Sequence, residues 1–347
     1  MAAYAQVLLL AIPFFLVLLI IEGAYGWLTN KQTFRSFDTI SSLSSGITNT
    51  VKDILGLSVV IVSYTWMYEH IAIMHIEATV GIYIISFIAI DFAGYVKHYM
   101  AHRFNYFWNE HVVHHSSEEY NLACALRQSI SQFFSLKAFL LIPAALLGMP
   151  PKVIAVILPI QLFMQFWYHT RHIPKLGFLE YLIITPSQHR VHHAINKIYL
   201  DRNLGQIFPW WDRLFGTFQE ELESEPCVYG TKKPVETWNP IVINFQHLWR
   251  LIQDAWRTND WMAKFTIWLK PLGWRPKDML DNYPIDVIED PFSQVKYETV
   301  ASEKLHVWSW VQLIVTHIFF VYMLINFVEI EFVGLLAYGA FKAQSHI

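Results

Sequence analysis

Four short clusters of histidine constrain the fold of this chain more than any other feature of its sequence. Within the clusters the residues lie three or four positions apart or are adjacent, so helices would place most of the imidazoles on one face. Neutral imidazole is the commonest protein ligand of iron, copper, zinc and nickel. The clusters hold ten of the sixteen histidines: His98 and His102; His111, His114 and His115; His169 and His172; His189, His192 and His193. We expect all ten to meet at one metal centre.

The number of candidate ligands indicates two metal ions rather than one. A single tetrahedral zinc ion takes four ligands, and structural zinc sites commonly include cysteine. Cys124 and Cys227 are the only cysteines and form no paired motif, so thiolate ligation is not expected. Ten imidazoles suffice for two ions with five or six positions each, some of them open. The predicted site is a histidine-rich dinuclear centre.

The hydrophobic composition predicts an integral membrane protein. Hydrophobic residues make up 54% of the chain and charged residues only 15%. A helix needs about 20 mostly apolar residues to cross a bilayer. Such segments occur at about 5–28, 54–70, 78–96, 133–149 and 153–168, and a further hydrophobic region follows near the end of the chain. Because no alternating barrel pattern appears, we predict an all-α fold, a polytopic membrane helical bundle.

The order of the spans places all four clusters on one face of the membrane. Segment 78–96 leads directly into His98. The chain then goes out and returns through a hairpin with its turn at 148–151, and the returning segment 153–168 leads directly into His169. We therefore expect the clusters to lie together just past the ends of the spans.

The distribution of positive charge predicts which face this is. Residues 169–306 hold sixteen of the twenty-five Lys and Arg residues, and cytosolic segments are usually the basic ones. We expect a cytosolic active site, in the endoplasmic reticulum of a eukaryote or the inner membrane of a bacterium. In domain terms, we expect a membrane domain with a helical cap over 1–306, with histidine boxes at 98–115 and 169–193. A C-terminal hydrophobic helix region would follow at 307–347.

The ligand type favours oxygen activation over hydrolysis. Zinc hydrolases usually add carboxylates that bridge the ions or act as base, and the nearby Glu110, Glu118 and Glu119 do not form an H-E-x-x-H arrangement. Nitrogen ligands with open positions suit redox iron and dioxygen. We predict an enzyme that uses O2 to modify a lipid taken from the bilayer. No nucleotide-binding motif occurs, so an external electron donor is expected, and the net charge of −3 argues against a nucleic-acid partner.

The residues around the clusters resemble the fatty acid hydroxylase/sterol desaturase superfamily of membrane di-iron oxygenases. Within it, the alkylglycerol monooxygenases are the most similar, through HVVHHSSEEYNLACALRQS at 111–129, QFWYHT at 165–170, TPSQHRVHH at 185–193 and WDRLFGTF at 211–218. The resemblance covers about 10–280. It implies two Fe ions and monooxygenase cleavage of an O-alkylglycerol ether, by hydroxylation of the carbon beside the ether oxygen, to a fatty aldehyde and a glycerol derivative. It also implies tetrahydrobiopterin as the electron donor.

Polar residues near the clusters are candidates for orienting the imidazoles. A ligating histidine usually donates its other N–H to a carboxylate or carbonyl group. Asp91 is one candidate because a charge inside a predicted span is costly unless it has a function. The six candidates are Asp91, Glu118, Asn121, Arg127, Asp201 and Asn203. His172 remains a tenth candidate ligand, although the ether-lipid enzymes that the chain resembles carry one histidine in that cluster.

Two further classes of function remain open at this point. A sterol desaturase, or a fatty acid or sterol hydroxylase, would use the same iron centre on a different lipid. A membrane metal transporter would also carry histidines, but it would place polar ligands in the middle of the membrane on broken helices.

The tryptophan-rich segment after the clusters has two interpretations. Residues 245–269 carry apolar residues at mostly helical spacing with charged residues between them. This pattern is typical of a helix lying at the level of the lipid headgroups. It fits equally a helix that packs against the catalytic cap.

Overall fold

The computed structural model describes residues 2–54, 64–131, 139–327, 329–330, 334 and 337–339, with the backbone alone at 2–7 and 54. Every regular element within these ranges is helical, which confirms the all-α prediction. In chain order the α-helices are α1 (Ala2–Leu28), α2 (Ser36–Ile54), α3 (Tyr64–Ile71), α4 (Val80–Arg103), α5 (Asn105–His115), α6 (Ile142–Leu146), α7 (Pro151–Met164), α8 (Leu179–Leu182), α9 (Pro186–His193), α10 (Trp210–Phe215), α11 (Pro240–Arg257), α12 (Trp261–Thr266), α13 (Lys277–Asn282) and α14 (Glu303–Ile325).

Three of these helices are long and apolar enough to cross a membrane, as expected of an integral membrane protein. They are α1 over Leu8–Leu28, α4 over Val80–Arg103 and α14 over Glu303–Ile325. At 1.5 Å per residue each matches the hydrocarbon thickness of about 30 Å. Large apolar side chains such as Leu10, Ile84 and Ile318 point outward and are exposed. The three helices coincide with the predicted spans at 5–28 and 78–96 and with the hydrophobic C-terminal region.

The other predicted spans correspond to shorter helices within the described residues. Segment 153–168 lies on α7, whose 14 residues are fewer than the roughly 20 needed to cross a bilayer. For 54–70 the structure describes α3, and residues 55–63 lie outside the described residues. For 133–149 it describes α6, and the part up to residue 138 lies outside them.

Helices α4 and α7 pack together and lead into two of the histidine clusters. Ile90 of α4 shares a buried core with Val153 and Ile157 of α7. The predicted turn before α7 is present and needs Gly148, which has a φ of +71° and whose added Cβ would lie 1.6 Å from the carbonyl oxygen of Met74.

A second bundle joins the two ends of the chain. Leu19 of α1, Leu43 of α2 and Leu313 of α14 belong to one buried cluster. A neighbouring cluster joins α2 to α14 through Ile47 and Phe320. Helix α14 therefore packs against the first two helices.

Candidate metal centre

Nine of the ten candidate histidines converge in two groups. In each group, every residue offers one nitrogen, and these nitrogens all lie within 4.8 Å of one another. The five-histidine group comprises His98, His102, His111, His115 and His192, and the four-histidine group comprises His114, His169, His189 and His193.

Two short helices carry ligands for both groups. On a helix, residues four apart lie on one face and the residue between them points to a neighbouring direction. In α5, His111 and His115 join the five-histidine group and His114 joins the other. Helix α9 has the opposite arrangement. His189 and His193, four residues apart, join the four-histidine group, and His192 between them joins the five-histidine group.

The two groups are immediate neighbours. The rings of His115 and His193, one from each group, stack with their centroids 4.3 Å apart. Those of the adjacent His192 and His193 are 5.3 Å apart. This arrangement has the form of a dinuclear site with two separate ligand sets.

The ring nitrogens of the five-histidine group face a common centre. Nε2 of His111 lies 2.7 Å from Nε2 of His98 and 3.0 Å from Nε2 of His115. The Nε2 atoms of His102 and His192 are buried and have no hydrogen-bond partner in the part of the chain that the structure describes. Ligands at right angles around an ion, at a metal–nitrogen distance of about 2.1 Å, lie about 3.0 Å apart. The observed spacing and the unpartnered nitrogens therefore fit a metal ion.

The four-histidine group closes a ring of Nε2 atoms. His169 lies 3.2 Å from His114 and 3.0 Å from His189 by these atoms. His193 lies 3.1 Å from the same two residues. Four nitrogens at this spacing form a second ligand set and leave further positions around an ion open.

One loop orients three imidazoles of the five-histidine group. Nδ1 of His98 lies 2.7 Å from the carbonyl oxygen of Leu204. Nδ1 of His192 lies 3.0 Å from the carbonyl oxygen of Arg202. Nδ1 of His102 lies 3.1 Å from a carboxylate oxygen of Asp201. Each oxygen accepts a hydrogen bond from Nδ1–H, so that Nε2 carries no proton and is free to bind a metal ion.

Buried polar side chains hold this loop in place. The carboxylate of Asp212 accepts hydrogen bonds from the backbone N–H groups of Leu204 and Gly205, at 2.7 and 2.8 Å. Asn203 adopts a left-handed conformation with a φ of 53°, and its amide donates to the carbonyl oxygens of Gln188 and Gln219. These bonds fix the carbonyl group that orients His98.

Asp91 joins the residues that follow this loop to the spanning helix. It is fully buried on α4, and its carboxylate accepts from the backbone of Ile207 and Phe208 and from the indole of Trp211. Of the polar candidates in the sequence, Asp201 contacts an imidazole, Asn203 holds the loop and Asp91 holds the residues that follow the loop. Asp212 was not among those candidates, although its place in the WDRLFGTF motif is a signal that could have found it.

Aromatic rings enclose the four-histidine group. The ring of Tyr120 lies 5.2 Å from that of His193, and its hydroxyl donates to the carbonyl oxygen of Tyr168. The ring of Tyr168 lies 4.2 Å from that of His189. The Nδ1 atom of His189 is buried without a hydrogen-bond partner among the described residues. This group is therefore held mainly by packing.

Burial favours the neutral form of histidines in both groups. It lowers the pKa of His111 and His115, in the first group, well below the usual value. It has the same effect on the pKa of His189 and His193 in the second, and it lowers the pKa of His114 to about 4. Metal ions bind the neutral form of imidazole, so the site is ready to bind them without losing protons first.

The structure places His172 outside both groups. It lines a cleft with Lys31, Gln32, Thr33 and Arg171, and its ring packs against Tyr25. A three-residue spacing gives a shared face only within a helix, and α7 ends at Met164, before His169.

The remaining three candidates brace the segment after α5, and the backbone of Arg127 also lies beside the imidazole of His114. Glu118 accepts from the backbone N–H of Tyr297. Asn121 donates to the carbonyl oxygen of Thr33. Arg127, fully buried, pairs with Asp38 at 2.6 Å.

Comparisons with known proteins agree with this site. The Fatty acid hydroxylase family model matches residues 83–217. The alkylglycerol monooxygenase of Homo sapiens is 34% identical over 87% of this chain and 67% of its own length. Those of Xenopus tropicalis and Danio rerio are each 36% identical over 77% of this chain and 59% of their own length.

The chain thus spans about three fifths to two thirds of the length of these relatives. No solved structure matches it. The family match contains every histidine of both groups, and the similarity to the human protein extends over most of the chain. The chain belongs to the fatty acid hydroxylase family, in which it is similar to the alkylglycerol monooxygenases.

Proposed function

We propose that this protein is an O2-dependent di-iron monooxygenase of membranes that hydroxylates a lipid, and that its substrate is an O-alkylglycerol. The observation that carries the proposal is the convergence of nine imidazoles in two adjacent sets with inward Nε2 atoms. The activity named in its relatives, monooxygenation of alkylglycerols, supports the choice of substrate.

In this proposal the nine histidines are the iron ligands. Bound iron would supply the redox chemistry of dioxygen activation. In the five-histidine group the loop at 201–204 orients three of the imidazoles through their Nδ1 atoms. His172 lies outside both groups and is not included.

The overall reaction balances as a monooxygenation. One atom of O2 enters the C–H bond beside the ether oxygen, and the other leaves as water with two electrons and two protons from the donor. The product is a hemiacetal, which breaks its carbon–oxygen bond to give a fatty aldehyde and a free glycerol hydroxyl. No hydrolytic residue is needed.

The position of the site suits a lipid substrate. His98 and His102 lie on the last turns of α4, so the ligands begin where this helix reaches the membrane surface. A lipid can keep its alkyl chain in the bilayer while its ether bond, next to the headgroup, reaches this level. A water-soluble substrate would not need a site at the membrane surface.

Electron supply, orientation and domain division complete the proposal. We propose tetrahydrobiopterin as the electron donor, on the resemblance to the alkylglycerol monooxygenases. We propose a cytosolic active site because basic residues are concentrated in the cap. The membrane would be the endoplasmic reticulum in a eukaryote or the inner membrane in a bacterium. The division into 1–306 and 307–347 remains a prediction.

The test is turnover of the purified, iron-loaded protein in lipid nanodiscs. Alkylglycerol and tetrahydrobiopterin are supplied with and without O2, and fatty aldehyde is measured. We expect aldehyde only when O2 and the donor are both present. Conversion of a sterol or fatty acid without any aldehyde from alkylglycerol would reject the ether-lipid substrate. A product that lacks two hydrogens and has no added oxygen would show desaturation instead.

A further inference from the structure

The cap carries an exposed apolar surface apart from the metal centre. Helices α11 and α12, with the 3₁₀ turn Ile267–Leu269 that follows, lie beyond the residues matched by the family model. Their large outward side chains are exposed, and we call them the tryptophan face: Trp249, Ile252, Trp256, Trp261, Met262, Phe265 and Leu269.

The exposed side chains follow helical spacing and so form coherent faces. On α11, Trp249, Ile252 and Trp256 are three and four residues apart. After it, Trp261, Phe265 and Leu269 recur every four residues. Trp256, Trp261 and Phe265 are 81%, 72% and 71% exposed. A water-facing surface does not normally present a contiguous patch of this kind.

The opposite faces of the same helices are already buried in the cap. Ile243 of α11 packs with Val112 and Val113 of α5. Ala263 and Ile267 are almost fully buried. The tryptophan face is therefore the outer surface of a well-packed element, and it needs another apolar phase to cover it.

Backbone bonds fix the level of this face relative to the membrane. The N–H of Leu272 donates to the carbonyl oxygen of Arg103, the last residue of the spanning helix α4, at 3.0 Å. The N–H of Asn105 donates to the carbonyl oxygen of Lys270 at 3.1 Å. Lys270 and Leu272 therefore lie at the C-terminal end of α4, just past the predicted span.

Another part of the cap reaches further down along α4. The ring of Phe215 stacks on that of Tyr95, and the ring of Trp211 lies 4.8 Å from that of Phe92. Leu214 and Phe215 of α10 are also exposed. Apolar side chains of α10 thus cover part of the outer surface of α4 before its end.

We infer that the tryptophan face lies flat in the headgroup layer of the membrane, with its rings buried at the boundary of the acyl chains. Tryptophan is enriched at this depth because its ring is apolar and its indole N–H is polar. An in-plane amphipathic helix buries its apolar side by roughly 5–10 Å. The covering phase is lipid because backbone hydrogen bonds hold Lys270 and Leu272, next to this face, against the end of the spanning helix α4. The inference does not depend on the substrate.

The test measures the depth of spin labels in the full-length protein in nanodiscs. Cys227→Ser removes the less buried of the two cysteines, and single Trp256→Cys and Phe265→Cys substitutions carry the labels. Ile84→Cys, on the outward face of α4, provides the reference for the bilayer interior. Glu289→Cys, whose native side chain is 85% exposed, provides the reference for water. Collisions with lipid-soluble O2 and with a water-soluble nickel chelate are compared.

We expect the labels at 256 and 265 to favour O2 more than the label at 289 does, and less than the label at 84. Values equal to those at 289 would show that the face is in water and would overturn the inference. Protection from both reagents would show that protein covers the face, a second copy of the chain included, and would overturn it too. Iron content, measured on each labelled variant, confirms that the cap is folded.

Discussion

The two histidine groups contain the same ligand but are built in different ways. In the five-histidine group, three Nδ1 atoms have oxygen acceptors, all from the loop at 201–204. In the four-histidine group, the Nδ1 atom of His189 is buried without a partner among the described residues. His169 has a long contact of 3.4 Å to the carbonyl oxygen of Phe166, and the backbone of Arg127 lies beside the imidazole of His114. The five-histidine group is fixed by short hydrogen bonds to one loop, and the four-histidine group by longer backbone contacts and by packing against Tyr120 and Tyr168.

This difference indicates a division of labour. Outer acceptors raise ligand basicity and fix ring orientation, and their loss typically weakens metal binding by about 10- to 100-fold. We therefore expect the five-histidine group to hold its ion more tightly. The four-histidine group, with fewer ligands and fewer fixed rings, is the place where an ion has more room for O2 or substrate.

The largest expected effect comes from removing one ligand from each group. We expect His192→Ala and His189→Ala each to reduce turnover by more than about 100-fold, because loss of a ligand should cost at least as much as loss of an outer partner. Their metal contents should differ. His189→Ala leaves three imidazoles and should lose about one of two iron ions, whereas His192→Ala leaves four and should retain more.

Iron per protein is measured by mass spectrometry after gel filtration. Equal iron loss in the two variants would contradict the proposed difference in strength. Unchanged iron and turnover in both would reject the ligand assignment itself.

The second prediction concerns the buried carboxylate that holds the loop. Asp212→Asn places an amide N–H against the backbone N–H of Leu204 or Gly205, so one of two short hydrogen bonds is lost. We expect iron affinity of the five-histidine group to fall about 10- to 100-fold. A competition titration with a chelator measures this.

A second variant perturbs the same loop without changing the carboxylate. An added Cβ at Gly205 would lie 2.8 Å from Asp212 Oδ2 and 2.7 Å from the carbonyl oxygen of Phe208, so Gly205→Ala should weaken the same ion. A loss of iron that fell on the four-histidine group in both variants would show that the loop does not act as described.

The sequence indicated which histidines come together but not how they divide into two sets. Spacing puts His98 beside His102, and His111 beside His115, because a helix imposes it. It does not divide the ligands into sets of five and four, because that division depends on how α5 and α9 lie against each other. His172 shows the limit directly, since its spacing from His169 is helical while the chain there is not.

The fold shows the same division between local and long-range information. Hydropathy located α1, α4 and α14 because a spanning helix needs a long apolar run. It did not separate α7 from a full span, because α7 is also apolar and its end is set by the approach to His169. The role of the loop at 201–204 could not be predicted from the sequence, because backbone carbonyl groups are the same in every residue.

A smaller effect is expected at the exposed edge of the five-histidine group. Asp201 accepts from His102 Nδ1, but its side chain is 58% exposed, so water can replace it in part. We expect Asp201→Ala to weaken the iron by only a few-fold, below the range for buried partners. Asp201→Asn keeps an oxygen acceptor and should restore most of the affinity. If Asn behaved like Ala, the hydrogen bond would not be the cause.

The smallest effect is expected at the histidine that the sequence could not separate from the ligands. His172 lies outside both groups and lines an outer cleft with Lys31 and Arg171. We expect His172→Ala to leave iron content unchanged and turnover within about two-fold, the range of a surface substitution. The matched variant His169→Ala, three residues earlier, should lose iron and activity because Nε2 of His169 lies within 3.2 Å of two other ligands. A loss of iron in His172→Ala comparable to that in His169→Ala would place a tenth ligand at the centre, and the four-histidine group would then be no smaller than its neighbour.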